Sequence, residues 1–322
     1  MKAIRYHEHG APEVMKLEDF PMPTPQAGEV LIKITASSAS YAQALQRSGR
    51  YPIPVTLPHS PGGNVAGVIE SVGEGVDPGL VGKRAYGQVT GASYAEYGVG
   101  PAKGFVVLPD NVSEVEAVAV LSDGATAYLI LTTAGQFKPG QSVFVPAAAG
   151  GLGFVAIQLA KVMGASKVLG GASTPEKRQI VLDLGADAAI DYTQADWSKQ
   201  VIAANGGQGV DLALEMSGGP IFYETLEAVR PGGRIVNYGN ASDTDSPINP
   251  RVLLRKNLTL RGFTGVLYPT ERLAARDEVL KLLAAGKLKS QYKTYPLADV
   301  AAAHRALEGR SSTGRQVLLP HG

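Results

Sequence analysis

Between residues 142 and 263 short apolar runs alternate with helix-length segments, and this alternation constrains the fold more than any other feature of the chain. The runs cover residues 142–146, 167–169, 188–190, 210–215, 234–238 and 258–261. Each is too short for a buried helix, is rich in Val, Leu and Ile, and is bounded by Gly or polar residues, so each reads as a strand. Six strands with helices between most of them predict a doubly wound parallel sheet, because parallel neighbours need crossover connections that tight hairpins cannot supply.

The first ~120 residues follow a different pattern. Residues 30–34 and 64–72 read as strands, and 95–97 and 104–107 as shorter ones, separated by Gly and Pro as in an irregular β-barrel. The chain has 39 glycines and 21 prolines, spread without repeats, which points to many tight turns and not to disorder. Residues 115–121 and 125–134 read as helices, followed beyond the sheet by helices over 270–285 and about 298–308 and a last strand over 316–319. The six-strand unit is complete before that last segment begins. The expectation is therefore a β-rich domain of residues 1–124, rejoined by 265–322, and a nucleotide-type domain of 125–264. Two domains suit 322 residues at ~100–200 each.

Composition removes several function classes. The net charge is +1 with no long basic run, so nothing favours nucleic acid or an anionic membrane. The absence of cysteine removes disulfides, thiolate nucleophiles and thiolate-ligated zinc. Of the histidines at 7, 9, 59, 304 and 321 only His7 and His9 are close in sequence, and that pair at a strand end is not a ligand set, so no metal is expected. Met1-Lys2-Ala3-Ile4-Arg5-Tyr6 enters a strand pattern directly, and no stretch approaches the ~20 apolar residues of a membrane span. A soluble, cytoplasmic protein is the expectation.

The first strand of the sheet runs into Ala147-Ala148-Ala149-Gly150-Gly151-Leu152-Gly153, and 154–163 then forms a helix stopped by Gly164. Small residues let a backbone approach a pyrophosphate, and a helix start offers free N–H groups and the positive end of its dipole. The turn is an imperfect G-x-G-x-x-G, with Ala148, Gly150 and Gly153 in the glycine positions, but it has the required strand before and helix after. A plain tight strand–helix connection is the alternative. The second strand ends at Gly170-Gly171, followed by Ala172-Ser173-Thr174-Pro175-Glu176-Lys177-Arg178. NAD sites place Asp or Glu at that strand tip to accept from the ribose hydroxyls. Here Ser173 and Thr174 stand at a helix N-cap, Pro175 at the first helical position, and Lys177 in the first turn. Hydroxyl, helix start and ammonium suit a phosphate monoester, which favours NADPH over NADH; simple capping with a solvated lysine is the competing account. The missing acid also weakens a methyltransferase reading, which needs the same ribose grip.

With these residues the chain resembles the zinc-independent quinone oxidoreductases of the medium-chain dehydrogenase/reductase superfamily, over essentially its whole length. Ala147-Ala148-Ala149-Gly150-Gly151-Leu152-Gly153 is similar to the AAAGGVG turn of that family. Further matches are Arg47-Ser48-Gly49 with Tyr51-Pro52, Gly124-Ala125-Thr126-Ala127-Tyr128, Leu184-Gly185-Ala186-Asp187, Pro231-Gly232-Gly233-Arg234 and Gly314-Arg315-Gln316-Val317-Leu318-Leu319-Pro320. The resemblance implies a GroES-like catalytic domain and a Rossmann domain with the cofactor between them, and a homodimer that pairs Rossmann edge strands near 258–261. It implies that Lys177 and Tyr192 contact the 2′-phosphate and adenosine end. Ser217 and Gly239 would lie around the nicotinamide half, Phe263 and Thr264 would offer backbone to the carboxamide, and Thr126 would pack near the ring. Three departures stand out. The family's Asn-aromatic-x-Asp reads Ser40-Tyr41-Ala42-Gln43, the GHE-like position of zinc relatives reads Gly62-Gly63-Asn64, and a His before the glycine-rich turn is replaced by Pro146.

A quinone or enone needs its carbonyl polarised, and a phenol can donate that hydrogen bond while neutral. Tyr51, then Tyr41, with help from Ser40, are the candidates for this role; a barrel-wall aromatic with a solvated hydroxyl is the alternative for Tyr51. Ser217 lacks a G-x-S-x-G setting, so it reads as a cofactor-loop serine and not as a nucleophile. Asp123 reads as a helix cap, and Arg310 and Arg315 as solvated, with Arg315 alternatively reaching the cofactor's phosphate end. Two functions stay open: an NADPH-dependent reductase, or a non-catalytic NADPH-binding regulatory or structural protein, which the changed Ser40 and Gln43 positions motivate. An enzyme using NADH is a third.

Overall fold

The computed structural model describes residues 1–242, 244–309 and 312–322. The chain divides into two compact units, Met1–Ser122 with Ser290–Gly322, and Asp123–Lys289. Arg310 lies outside the described residues.

The first unit opens with strands β1 (Lys2–Arg5) and β2 (Lys16–Asp19), an antiparallel pair. Next come β3 (Glu29–Ala39), helix α1 (Tyr41–Arg47), β4 (Asn64–Val72), β5 (Arg84–Gln88), β6 (Tyr97–Pro101) and β7 (Val106–Val107). The eleven residues of β3 make it the central strand. One edge pairs β4, and the other pairs β6 through residues 29–33. Register shifts at Leu31/Ile32 and Ile34/Ala36 bend β3, as bulges do, and wrap its sheet around a core that includes Ile32, Ile34 and Val65. Helix α1, not foreseen from the pattern, is seven residues long and starts with a capping box between Ser40 and Gln43.

The second unit begins inside α2 (Glu114–Leu129). The two helices expected over 115–134 are one continuous run into a π-turn at Ile130–Ala134. Asp123 therefore sits mid-helix and not at a helix start. Gly124 is tolerated there because a Cβ would lie 2.6 Å from Val279 Cγ1, so close packing needs the glycine. By length and mean hydropathy, 1.4, residues 114–134 pass for a membrane span, contrary to the expectation of none, but 72% of the stretch is buried inside the protein, as in a core helix.

The sheet strands follow: β8 (Ser142–Val145), β9 (Lys167–Gly171), β10 (Ala188–Ile190), β11 (Val210–Glu215), β12 (Val229–Asn237) and β13 (Thr259–Gly262). They are all parallel, in the order β10-β9-β8-β11-β12-β13. This is the doubly wound parallel sheet expected, with its switch point between β8 and β11. The crossovers are α3 (Gly151–Val162), α4 (Pro175–Asp183), α5 (Trp197–Ala204), α6 (Gly219–Ala228) and α7 (Pro250–Lys256). Phe144 packs on Trp197, ring centroids 5.2 Å apart, in the core of one sheet face. Burying either side chain stabilises the unit by roughly 2–3 kcal/mol.

Helix α8 (Pro269–Ala284) belongs to this second unit and not to the returning segment expected from residue 265. Val279 against Gly124, and Lys289 N–H donating to Gln158 Oε1 at 2.7 Å, hold it there. The chain then rejoins the first unit with β14 (Tyr292–Pro296), α9 (Val300–Glu308) and β15 (Arg315–Leu319). β15 pairs parallel with β14 and antiparallel with β3. That pairing buries Arg315, expected to be solvated, to 8% exposure with Nη1 donating to Ala39 O at 3.4 Å.

Candidate functional site

A parallel sheet gathers all its strand C-termini on one edge, so residues far apart in the chain meet there. After β8 the chain turns at Ala147, whose φ is +50°, a left-handed conformation that costs a non-glycine residue about 1 kcal/mol. Ala148 N–H donates to Gly171 O at 2.9 Å and Gly150 N–H to Ala147 O at 3.0 Å, holding the turn against β9. Gly150 is the N-cap of α3, with Gly151, Leu152 and Gly153 in its first turn, where backbone N–H groups lack intrahelical acceptors. A Cβ at Gly153 would stand 2.6 Å from Ala147 O and 2.8 Å from Ala148 Cα, and one at Gly170 2.8 Å from Ala148 Cβ. The cradle is thus closed to side chains and open to an anion, the fit a pyrophosphate requires. Ala149 is buried at the floor of the turn.

Next to it lies the tip of β9. Thr174 is the N-cap of α4, its hydroxyl accepting from Lys177 N–H at 3.3 Å, and Pro175 opens the helix. Ser173 is half-buried beside it. Lys177 is half-buried as well, and desolvation holds its ammonium below the usual lysine range. Arg178, not singled out from the sequence, adds a second cation: Nη1 lies 2.9 Å from Asp191 Oδ2. The hydrogen bond from the Thr193 hydroxyl, more than the nearby guanidinium, holds the Asp191 carboxyl below its ordinary range. Tyr192, after β10, covers the same tip: a Cβ on Gly171 would be 2.9 Å from its ring.

Across the switch point, Ser217 follows β11 and is buried, Gly239 follows β12, and Phe263 and Thr264 follow β13. Phe263 N–H donates to Asn237 O at 2.8 Å, and its ring stacks on Tyr268 with centroids 5.4 Å apart. Thr126 is half-buried on α2. These residues all belong to the second unit. Glu215, missed by sequence reasoning because it reads as an ordinary strand end, is fully buried beneath the Ser217 loop.

Ser40, Tyr41 and Tyr51 belong to the first unit. Ser40 and Tyr41 open α1, whereas Tyr51 lies past its far end, about 10 Å along the axis, with its N–H donating to Leu45 O at 3.2 Å. Both tyrosines are half-buried. Gln43 is no vacant anchor. Its Oε1 accepts from Ser40 N–H at 2.7 Å and from the buried Tyr94 hydroxyl at 3.0 Å, and its Nε2 donates to Gly62 O at 2.7 Å. Arg47, fully buried, donates through Nε to His304 Nδ1 at 3.4 Å and also reaches Glu308 and Gly10 O. His7 pairs with Glu18 at 2.7 Å and His9 with Arg47 O at 3.2 Å. Among the described residues no three His, Asp or Glu side chains are grouped as metal ligands, and the chain has no cysteine.

A β-rich unit joined to a doubly wound dinucleotide-type sheet is the two-domain architecture of the medium-chain dehydrogenases/reductases. Family models agree: an alcohol dehydrogenase GroES-like domain matches residues 26–110 and a zinc-binding dehydrogenase model matches 151–284. A curated quinone oxidoreductase of Salmonella typhimurium is 32% identical over 98% of this chain and 99% of its own. The structure of the Escherichia coli quinone oxidoreductase complexed with NADPH superposes with a TM-score of 0.92 at 30% identity, covering 99% of this chain and 100% of that one. That of the Pseudomonas syringae quinone oxidoreductase gives 0.91 at 34%, covering 99% of both. The chain belongs to the quinone oxidoreductase family of that superfamily.

Proposed function

We propose that this chain is an NADPH-dependent oxidoreductase that reduces quinones or α,β-unsaturated carbonyls without zinc. The observation that carries the cofactor choice is the tip of β9, which ends in Gly171 with no carboxylate and meets the Thr174-capped start of α4 carrying Lys177. The family relationship and the NADPH complex of the Escherichia coli relative support the same choice. The metal-free reading is supported by the lack of cysteine and, among the described residues, of any group of three His, Asp or Glu side chains.

When bound, the reduced nicotinamide would supply the hydride. This chain's part is to bind, orient and dry the reactants. The first-turn amides of α3, at Gly151, Leu152 and Gly153, would hold the pyrophosphate, and Ala149 and Gly150 would let it approach. Ser173, Thr174 and Lys177 would take the 2′-phosphate, with Tyr192 against the adenosine. Ser217, Gly239, Phe263, Thr264 and Thr126 would surround the nicotinamide half. A phenol, Tyr51 first and Tyr41 second, would donate a hydrogen bond to the acceptor's carbonyl oxygen, assisted by Ser40.

Mixing the protein with NADPH and a panel of quinones and enones, and following the loss of nicotinamide absorbance, tests the activity. Turnover of at least one acceptor is expected. Binding of NADPH without turnover of any acceptor would favour a non-catalytic NADPH-binding protein. We also propose a homodimer formed through β13. This strand is an edge of its sheet, and Leu254, Val266 and Leu267 beside it are 82%, 72% and 74% exposed. Light scattering at micromolar concentration should give twice the chain mass, and a monomer refutes it. A cytoplasmic location completes the proposal.

A further inference from the structure

Glu215 ends β11 with its side chain wholly inside the second unit. Its hydrogen-bond partners are neutral. Ser217 N–H donates to Oε1 at 2.9 Å, Gly218 N–H to Oε2 at 3.2 Å, and the Asn237 amide to Oε2 at 3.5 Å, while Met216 N–H adds to the same cradle. The Tyr238 phenol stands in the field of both Glu215 and Asp123 of α2. A carboxylate buried among amides is costly, and burial pushes it above the usual range. An apolar side chain would make a cheaper core, so the carboxylate is explained by what it shapes.

It shapes a loop. Three successive amides curl around it as an anion nest, and the chain leaves through Gly218 at φ +72° and Gly219 at φ +56°. Gly218 has ψ −172° with that positive φ, a backbone region reserved for glycine, so the loop needs glycine there. The loop is tied to the next one: Tyr238 N–H donates to Glu215 O at 2.9 Å, Ala241 N–H to Met216 O at 2.9 Å, and Ser242 N–H to Ser217 O at 2.8 Å. Asn237, which touches the carboxylate, accepts Phe263 N–H through its carbonyl. The carboxylate therefore ties the loop after β11 to Asn237 at the end of β12, the segments that lead to Ser217 and Gly239. The adenosine end stands apart on β9 and α4.

We propose that Glu215 is a positioning residue for the nicotinamide half of the dinucleotide, holding the loops after β11 and β12 in the arrangement that accepts the nicotinamide riboside, while the adenosine end does not depend on it. This rests on the dinucleotide reading of the site. The test is calorimetric binding of two probes to the full-length protein and to Glu215→Gln. NADPH spans both halves; adenosine 2′,5′-bisphosphate occupies only the adenosine end. The variant should lose tenfold or more in NADPH affinity and bind the bisphosphate within twofold of wild type. A general structural role would move both probes together. Equal losses, or no loss for NADPH, overturn the proposal. If the variant does not fold, amide hydrogen exchange on the unmodified protein decides. Ser217 and Gly218 should exchange slowly when free and slow further with NADPH but not with the bisphosphate, and unprotected loop rates overturn the proposal. A wild-type protein that binds NADPH but not the bisphosphate sinks the adenosine-end reading, and the NADPH affinity of Glu215→Gln still judges Glu215.

Discussion

Acidification from pH 7 to pH 5 should weaken the first unit through one histidine. His304 is fully buried on α9, and Arg47 Nε donates to its Nδ1 at 3.4 Å. A guanidinium stays charged and cannot accept, so Nδ1 must be bare and the single proton sits on Nε2, facing the Tyr94 hydroxyl at 3.1 Å. A second proton would be buried against Arg47. Burial first, and the guanidinium second, hold the imidazole down to about 3 from its ordinary 6.5. The folded value lies below the unfolded one. Stability from this group is therefore full above pH 6.5 and is lost as the pH falls from there toward 3. At pH 5 the unfolded imidazole is charged over about 1.5 pH units, which at ~1.36 kcal/mol each removes about 2 kcal/mol. Urea unfolding followed by far-UV circular dichroism at both pH values, for wild type and His304→Gln, isolates the effect, since the carboxylates and His59 cancel in the difference. Wild type should lose about 2 kcal/mol more than the variant. The His304 Cε1–H resonance should stay fixed between pH 8 and 5. A resonance that titrates near 6.5, or identical pH dependence in the two proteins, refutes the argument.

Two further outcomes follow from the dinucleotide edge. Gly153→Ala places a Cβ 2.6 Å from Ala147 O, a backbone atom that cannot swing aside. It should cost about 1–3 kcal/mol of stability by overpacking and weaken NADPH binding at least about tenfold, measured by denaturation and fluorescence titration; wild-type affinity would show that the turn does not hold the pyrophosphate. Lys177→Ala should weaken NADPH by about 1.5–3 kcal/mol, roughly 10–150-fold, and NADH by no more than about twofold. Equal losses for the two cofactors would sink the phosphate assignment.

Features encoded within about ten residues are legible in the chain alone. Strands β10 and β11 fall where their runs of apolar residues place them, and the Thr174 cap with Pro175 is legible because cap, proline and helix are contiguous. The small-residue turn is legible for the same reason, since βα geometry is local. The six-strand alternation also shows the sheet to be parallel and doubly wound, through the rules of parallel connection, though not the order of its strands.

Only the tertiary structure decided the rest, because the deciding contacts join residues distant in the chain. Ser40-Tyr41-Ala42-Gln43 reads as lost polar anchors, yet Gln43 is buried between Ser40, Gly62 and Tyr94, and Tyr94 meets His304 from 210 residues away. Asp123 reads as a cap, because Asp-Gly looks like a helix break until Val279 is seen filling the space beside Gly124. The side of the domain division on which α8 falls depends on that same packing and on Gln158, 131 residues from Lys289. Glu215 is one more residue of an apolar strand in the sequence; its burial, and its bond to Asn237, exist only once β11 and β12 lie side by side. Local chemistry sets the turn and its caps, whereas the cost of burying charge and the packing of distant segments set where the polar groups of this protein act.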